Sequence, residues 1–388
     1  METPSKTIND SLQEVLDKRK EASMYRFLQM NEGLIDFCSN DYLSFARSEK
    51  IKHRVKQLEE EVSNLAGSTG SRSISGNTSY AEELERFLAG FHHAEAGLLF
   101  NSGYDANVGL FSSIAKKDDT LLCDELIHAS MIDGCRLSYA NRLRFAHNDT
   151  ADLEKKLQKA KGNLSAGKAS IFVAIESVYS MDGDMAPLPE IVSLCKQYNA
   201  HLIVDEAHAT GVFGRQGRGL VNYFGLERDV FARVHTFGKA VGCHGAVVVG
   251  SDVLRNYLIN FARSFIFTTA LPLHSLFTVK AAYEQLMATD FDNAYLHQLI
   301  EHFKKGLVSA DDTWLINSIG PIQSLVIPGS ERARHVAKQL QARGFDVRAI
   351  VSPSVAIGKE RLRISLHMHN TMQQLDELKH ALNQILFS

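Results

Sequence analysis

The stretch that decides the fold reads His201-Leu202-Ile203-Val204-Asp205-Glu206-Ala207-His208 and resumes at His235-Thr236-Phe237-Gly238-Lys239-Ala240. Its first half is a short apolar run ending in a carboxylate. That is the pattern of a buried parallel strand carrying a charged group to the C-terminal edge of a sheet, where ligands bind in open α/β folds. Its second half closes on Lys239, between a glycine and an alanine in an otherwise apolar neighbourhood, where desolvation lowers an amine's pKa and makes it nucleophilic. A carboxylate and such a lysine in this order suit a pyridoxal phosphate (PLP) site: the lysine bonds to the cofactor's aldehyde carbon and the carboxylate keeps the pyridine nitrogen protonated. Taken alone, Asp205 reads equally well as a helix cap or a salt-bridge partner, so the rest of the chain has to decide.

The chain has 388 residues, 45% of them hydrophobic and 22% charged, enough to bury a large core divided into about two domains. A formal charge of −3 gives no electrostatic reason to expect nucleic acid or an anionic membrane as partner. The cysteines Cys38, Cys123, Cys135, Cys195 and Cys243 form no C-x-x-C pair, so neither a disulfide framework nor a zinc site is indicated and no metal is expected. No secretory pattern opens the sequence and no apolar run is long enough to span a membrane, so a cytoplasmic protein is expected.

Along the chain, Asn9, Asp10 and Ser11 are candidate caps of an amphipathic helix with Leu12, Val15 and Leu16 on one face and Arg26 at its far end. Arg26 on its own reads as a surface arginine, and Asn40 as either a turn former or a carboxylate ligand. The Gly67–Gly76 run carries glycines and hydroxyl residues, suiting a domain link or a loop that approaches a ligand. Ser79 and Glu82 suggest a capping box. The apolar run Ala96 to Phe100 enters Asn101-Ser102-Gly103-Tyr104 and then a helix, an arrangement that turns backbone N–H groups toward an anion such as a cofactor phosphate. Strands and helices then alternate, predicting a mostly parallel sheet with helices on both faces. After Pro272 the pattern changes to a smaller α+β unit. The expected division is an N-terminal segment over 1–44, a large domain over 45–272 and a small C-terminal domain over 273–388.

One rival reading comes from Gly162 to Ala169, close to G-x-x-x-x-G-K-[ST], together with the D-E-A-H spelling at Asp205 to His208. It fails as a nucleotide-binding loop. Ala169 lacks the hydroxyl that binds magnesium, a Lys-rich helix rather than a strand precedes Gly162, and a strand rather than a helix follows Lys168.

The runs Ser39-Asn40-Asp41-Tyr42-Leu43, Asp124-Glu125-Leu126-Ile127-His128-Ala129-Ser130, Ser180-Met181-Asp182-Gly183-Asp184, Asp205 to Gly211, Thr236 to Lys239 and Arg361-Leu362-Arg363, in that order, resemble the α-oxoamine synthases. These are PLP enzymes of the aspartate-aminotransferase fold (fold type I), and the likeness spans nearly the whole chain. The resemblance implies that Lys239 holds PLP and moves the Cα proton, that Asp205 pairs with the pyridine nitrogen, that His208 meets the phenolic oxygen and that His128 stacks on the ring. It assigns Gly103, Tyr104 and Thr236 to the phosphate, with Ser180 nearby and Thr268 or Thr269 reaching in from a second subunit. Asn40 and Arg363 would hold the amino acid's carboxylate, Ser354 would touch substrate, and Arg26 would meet a distal carboxylate on the acyl chain. Alone, each histidine would read as a satisfied structural residue. The activity implied is decarboxylative condensation of an amino acid with an acyl-CoA in a homodimer with shared active sites. The likeness is greatest to the biotin-pathway branch, which uses L-alanine and a pimeloyl thioester; glycine- and serine-using sisters and a non-catalytic subunit are the alternatives, and the intact Lys239 speaks against the last.

Overall fold

Five- and six-residue apolar runs, separated by helices with one buried face, build a sheet covered on both sides, because its inner strands hide both of their faces. The computed structural model describes residues 6–387 apart from 23, 27, 29, 31, 63–65, 164–168, 290 and 307–312. Most of the near nucleotide-loop segment, the first five residues and Val308, expected at the end of a helix, therefore lie outside the described residues.

The strands in chain order are β1 (Ile35–Asp36), β2 (Ala96–Phe100), β3 (Thr120–Asp124), β4 (Asn141–Phe145), β5 (Ile171–Glu176), β6 (His201–Asp205), β7 (Ala232–Thr236), β8 (Ala246–Gly250), β9 (Trp314–Leu315), β10 (Ile322–Val326), β11 (Phe345–Asp346), β12 (Arg348–Ile350) and β13 (Arg361–Ser365). A seven-stranded sheet runs β2-β8-β7-β6-β5-β3-β4, with β8 antiparallel to both neighbours and the rest parallel. The C-terminal ends of six strands thus meet at one edge. The outer strand β4 shows Asn141, Arg142 and Arg144 to solvent, charges that discourage pairing with another chain.

On β6, Leu202, Ile203 and Val204 are buried and Asp205 with them. Three such side chains contribute roughly 5–9 kcal/mol of hydrophobic stabilisation, which offsets the several kcal/mol an enclosed carboxylate costs once that carboxylate has hydrogen-bond donors.

The second sheet is antiparallel, in the order β12-β13-β10-β9, and β1 pairs in parallel with β11, tying the N-terminal segment to C-terminal elements. Val347, expected within a strand, sits between the short strands β11 and β12. The helix Leu273–Met287 follows Pro272 but packs on the helices Glu49–Glu61 and Ser79–Phe91.

Three local expectations are corrected. The first helix is Ile8–Glu21, and its cap is Thr7 rather than Asn9 or Ser11: Thr7 Oγ1 accepts from the Asp10 N–H, and Asp10 accepts from the Thr7 N–H in return. It closes at Ala22, so Arg26 lies beyond it, outside any helix or strand. The cap before Ala81 is Thr78, one residue ahead of Ser79, with Glu82 taking its hydrogen bond from Asn77.

Candidate active site

Five of the six parallel strands each deliver one piece of chemistry to the shared edge. Asp205 ends β6, Glu176 ends β5, His128 follows β3 as the cap of the helix Ala129–Leu137, Gly103 heads the helix Gly103–Ile114 after β2, and Lys239 follows β7. Together they line a cavity of about 210 Å³, with Asn40, Tyr104, Asn107, Ser130, Thr236 and His244 among its walls.

The floor is a hydrogen-bonded row. Asn107 Nδ2 donates to Asp205 Oδ2 at 2.7 Å and to Ser130 Oγ at 3.0 Å, while the Ala207 N–H donates to Asp205 Oδ1 at 2.9 Å. His128 Nδ1 accepts the Ser130 N–H at 3.2 Å and faces Ser130 Oγ at 2.7 Å, so the ring carries its proton on Nε2. Burial first, and then the nearby Lys239 charge, lower the His128 pKa and keep the ring neutral.

A second row crosses the opposite wall. Lys239 Nζ lies 2.8 Å from His208 Nε2, and His208 Nδ1 lies 2.8 Å from the Tyr42 hydroxyl. Tyr42 donates to Asn40 Oδ1 at 3.0 Å and accepts from Arg363 Nη2 at 3.2 Å. With the Tyr42 proton turned to Asn40, His208 donates from Nδ1 and accepts the lysine's hydrogen on Nε2. Desolvation lowers the Lys239 pKa against the raising influence of Asp205 and Glu176, and burial, then the Lys239 charge, holds His208 well below the ordinary histidine range. Both effects favour the uncharged amine and imidazole.

Arg363, on β13, does not line the cavity. Its Nε donates to the Ser180 carbonyl at 2.7 Å, Nη1 to Ser365 Oγ at 3.1 Å, and Nη2 to Asn40 Oδ1 at 2.9 Å. The guanidinium therefore stands behind Asn40 and Tyr42 and fixes them, and Ser180 offers it a backbone oxygen. Gly183 makes this loop possible: its φ is +77°, and an added Cβ would lie 2.4 Å from the Ile322 carbonyl.

Other expected residues stand apart from the cavity or at its edge. Arg26 and Ser354 are exposed, and neither lines the cavity. Asn101 Nδ2 donates to Thr268 Oγ1 at 3.0 Å and to the Thr269 carbonyl at 2.8 Å, outside the cavity. Tyr104 lines the entrance while its hydroxyl donates to Asp133 at 2.6 Å. Sequence reasoning missed Tyr42, Asn107, Ser130, Glu176 and His244. One signal was available: β5 and β6 are both apolar runs ending in an acid.

PLP fits this set of groups. Thr236 Oγ1 is buried without a hydrogen-bond partner beside the helix head at Gly103, where a Cβ would sit 2.4 Å from Thr236 Cγ2; a side chain there would fill the cradle for a phosphate. Asp205, held by two donors, suits a protonated ring nitrogen, and Lys239 brings an amine of lowered pKa into the same space.

The family model for aminotransferase class I and II matches residues 32–382. The 8-amino-7-oxononanoate synthase of Emericella nidulans is 45% identical over 96% of this chain and 94% of its own length. Among solved structures, the serine palmitoyltransferase of S. paucimobilis with bound PLP-myriocin superposes with a TM-score of 0.87 at 27% identity, covering 97% of this chain and 96% of that one. The 8-amino-7-oxononanoate synthase of Francisella tularensis superposes with a TM-score of 0.75 at 30% identity, covering 91% and 98%. The chain belongs to the aminotransferase class I and II family of PLP-dependent enzymes, in the branch of the 8-amino-7-oxononanoate synthases.

Proposed function

We propose that the protein condenses L-alanine with a pimeloyl thioester to form 8-amino-7-oxononanoate, with release of CoA and carbon dioxide, as a step of biotin biosynthesis. The observation that carries the reading is the Lys239 amine, its pKa lowered by burial, 2.8 Å from His208 Nε2 and in one cavity with the doubly supported carboxylate of Asp205. The choice of substrates is supported by the names of the relatives.

Bound PLP supplies a carbonyl carbon for the amine and an electron sink for negative charge at the amino acid's Cα. Asp205 would hold the ring nitrogen's proton, and His128 would cover one ring face. Once Lys239 gives up its hydrogen bond, His208 would donate from Nε2 to the phenolic oxygen, with the Tyr42 hydroxyl turning its proton to Nδ1. The N–H groups of Gly103 and Tyr104, with Thr236 Oγ1, would bind the phosphate, and Ser180 would bound the site nearby. Asn40, held by Arg363, would turn its amide N–H to the alanine carboxylate while the arginine supplies the opposing charge. Lys239 Nζ would take the Cα proton and return one later. In balance, the bond between Cα and the thioester carbonyl carbon forms, the C–S bond breaks, and the alanine carboxylate leaves as carbon dioxide.

The helix Ile8–Glu21 buries none of its residues and leaves Ile8, Leu12, Val15 and Leu16 exposed, and a lone 14-residue helix is marginal in water. A second copy of the chain is the cover that fits. In such a homodimer, Thr268 and Thr269 would serve the neighbouring site and Ser354 would stand near substrate. Arg26 would meet the distal carboxylate of the acyl chain. A CoA thioester substrate suits a cytoplasmic enzyme, and no helix among the described residues is long and apolar enough to cross a membrane.

The test is to offer alanine, glycine and serine to purified protein with pimeloyl-, acetyl- and palmitoyl-CoA and to measure free thiol and carbon dioxide. Alanine with pimeloyl-CoA should give the highest kcat/KM. Preference for serine with palmitoyl-CoA or glycine with acetyl-CoA would replace this reading by a sister activity.

A further inference from the structure

Among the described residues, Glu176 is the one carboxylate lining the cavity to which the reaction above gives no task. It ends β5 directly beside Asp205 on β6, the two being partners in the parallel register, so that both side chains leave the sheet on the same face. Both are enclosed, at 2% and 4% exposure, and both line the same cavity. Their surroundings differ. Each Asp205 oxygen accepts a hydrogen bond, from Asn107 and from Ala207. The Glu176 carboxyl group stands near the backbone N–H groups of His128 and Ser180, while its Oε1 accepts no hydrogen bond from the described residues. Its charge is therefore the less well supported of the two.

Two neighbouring carboxylates in an enclosed site cannot both stay ionised at neutral pH, and the proton settles on the one whose charge is less well supported. The oxygen that accepts no hydrogen bond is the place for that proton, because a bare buried O⁻ costs several kcal/mol and an unpaired hydroxyl only about 1–3 kcal/mol. Burial first, and then the Asp205 charge, push the Glu176 pKa up to about 8.

We infer that Glu176 is a positioning residue that works as a neutral acid: Oε1 carries the proton, Oε2 ties the loops of His128 and Ser180 to the cavity floor, and the negative charge of the pair stays on Asp205. The inference deepens the PLP reading above and rests on it. The loops so tied are the one that presents His128 and the one whose Ser180 carbonyl holds Arg363. An ionised group at 176 would add a second negative charge beside Lys239 and favour the protonated amine that the chemistry must avoid.

The distinguishing comparison is Glu176→Gln with Glu176→Leu. Glutamine keeps an oxygen for the two N–H groups and adds no charge; leucine removes both oxygens. On PLP-loaded protein at neutral pH, the parent-minus-Glu176→Gln infrared difference spectrum should contain the carbonyl stretch of a protonated carboxyl group, shifted in heavy water. Glu176→Gln should keep PLP affinity and kcat/KM within about threefold of the parent, and its visible absorbance should titrate at the same pH. Glu176→Leu should lose at least about tenfold in PLP affinity, a factor worth about 1.4 kcal/mol. Absence of the protonated-carboxyl band would overturn the inference, as would Glu176→Gln falling as far as Glu176→Leu, or Glu176→Leu matching the parent. If Glu176→Leu does not fold, the infrared band and the glutamine variant still decide. Failure of the parent to bind PLP at Lys239 would instead sink the functional reading, whereas the infrared band reports on Glu176 whatever substrate is turned over.

Discussion

Asn107 carries more of the site than its place mid-helix suggests, because one amide group serves both Asp205 and Ser130. Asn107→Ala leaves Asp205 Oδ2 without a donor, and a hydrogen bond to a charged group contributes about 1.5–3 kcal/mol. PLP affinity should fall about tenfold to a hundredfold by titration of the visible absorbance, with the fold intact by circular dichroism; unchanged affinity would show that Asp205 needs no such support. Tyr42→Phe removes the acceptor of His208 Nδ1 and leaves the imidazole free to choose the other tautomer. kcat should drop by about tenfold with little change in KM, since the contact positions a group rather than binding substrate. The sequence disclosed Lys239, Asp205, His208 and His128 as candidates, and the fold brings these four together. It was silent on Asn107 and Ser130 because a polar residue facing a site has the same local pattern as one facing water. Only the packing of helix Gly103–Ile114 against the sheet edge tells them apart.

Among the secondary-structure elements, the junction of β3, β4 and the loop after β5 has its own charge logic. His147 Nδ1 lies 3.0 Å from Asp124 and Nε2 lies 2.8 Å from Asp184, which makes the ring a doubly paired cation. Burial alone would lower its pKa, but the hydrogen bonds to Asp124 and Asp184 outweigh burial and lift it to about 9. A folded-state value above the unfolded 6.5 means that this clamp is fully stabilising below about 6.5 and is lost as pH rises through about 9. Urea midpoints of the parent should therefore decline across that window relative to those of His147→Gln; parallel profiles would contradict the assignment. Asp182 of the same loop pairs with Arg361, two residues before Arg363, so the clamp holds the strand that fixes Asn40. At the helix head, Gly103→Ala places a methyl group 2.4 Å from Thr236 Cγ2. Phosphate-dependent cofactor binding should weaken by at least tenfold while unfolding in the absence of PLP changes little. Element types were legible because strand and helix periods differ. Caps slipped by one or more residues, as at Thr7 and Thr78, because Ser, Thr, Asn and Asp cluster there and only backbone geometry selects among them.

For the molecule as a whole, the strand alternation and the change after Pro272 foretold a parallel sheet and a smaller α+β part. The tie of β1 to β11 was not foreseeable, because two-residue strands carry no pattern of their own. In solution the protein should sediment at twice its 43.1 kDa, and joint Leu12→Glu and Val15→Glu changes should weaken that dimer and lower activity at low protein concentration. A monomer with full activity would refute the shared-site arrangement. The central claim is that Lys239 is the amine that holds PLP, and borohydride reduction of the cofactor-loaded protein followed by peptide mass spectrometry tests it most directly. The account predicts one pyridoxyl group, on the peptide containing Lys239, and no fixed label or turnover in Lys239→Ala. Label on a different lysine, or a Lys239→Ala protein that turns over at the parent's rate, would contradict it.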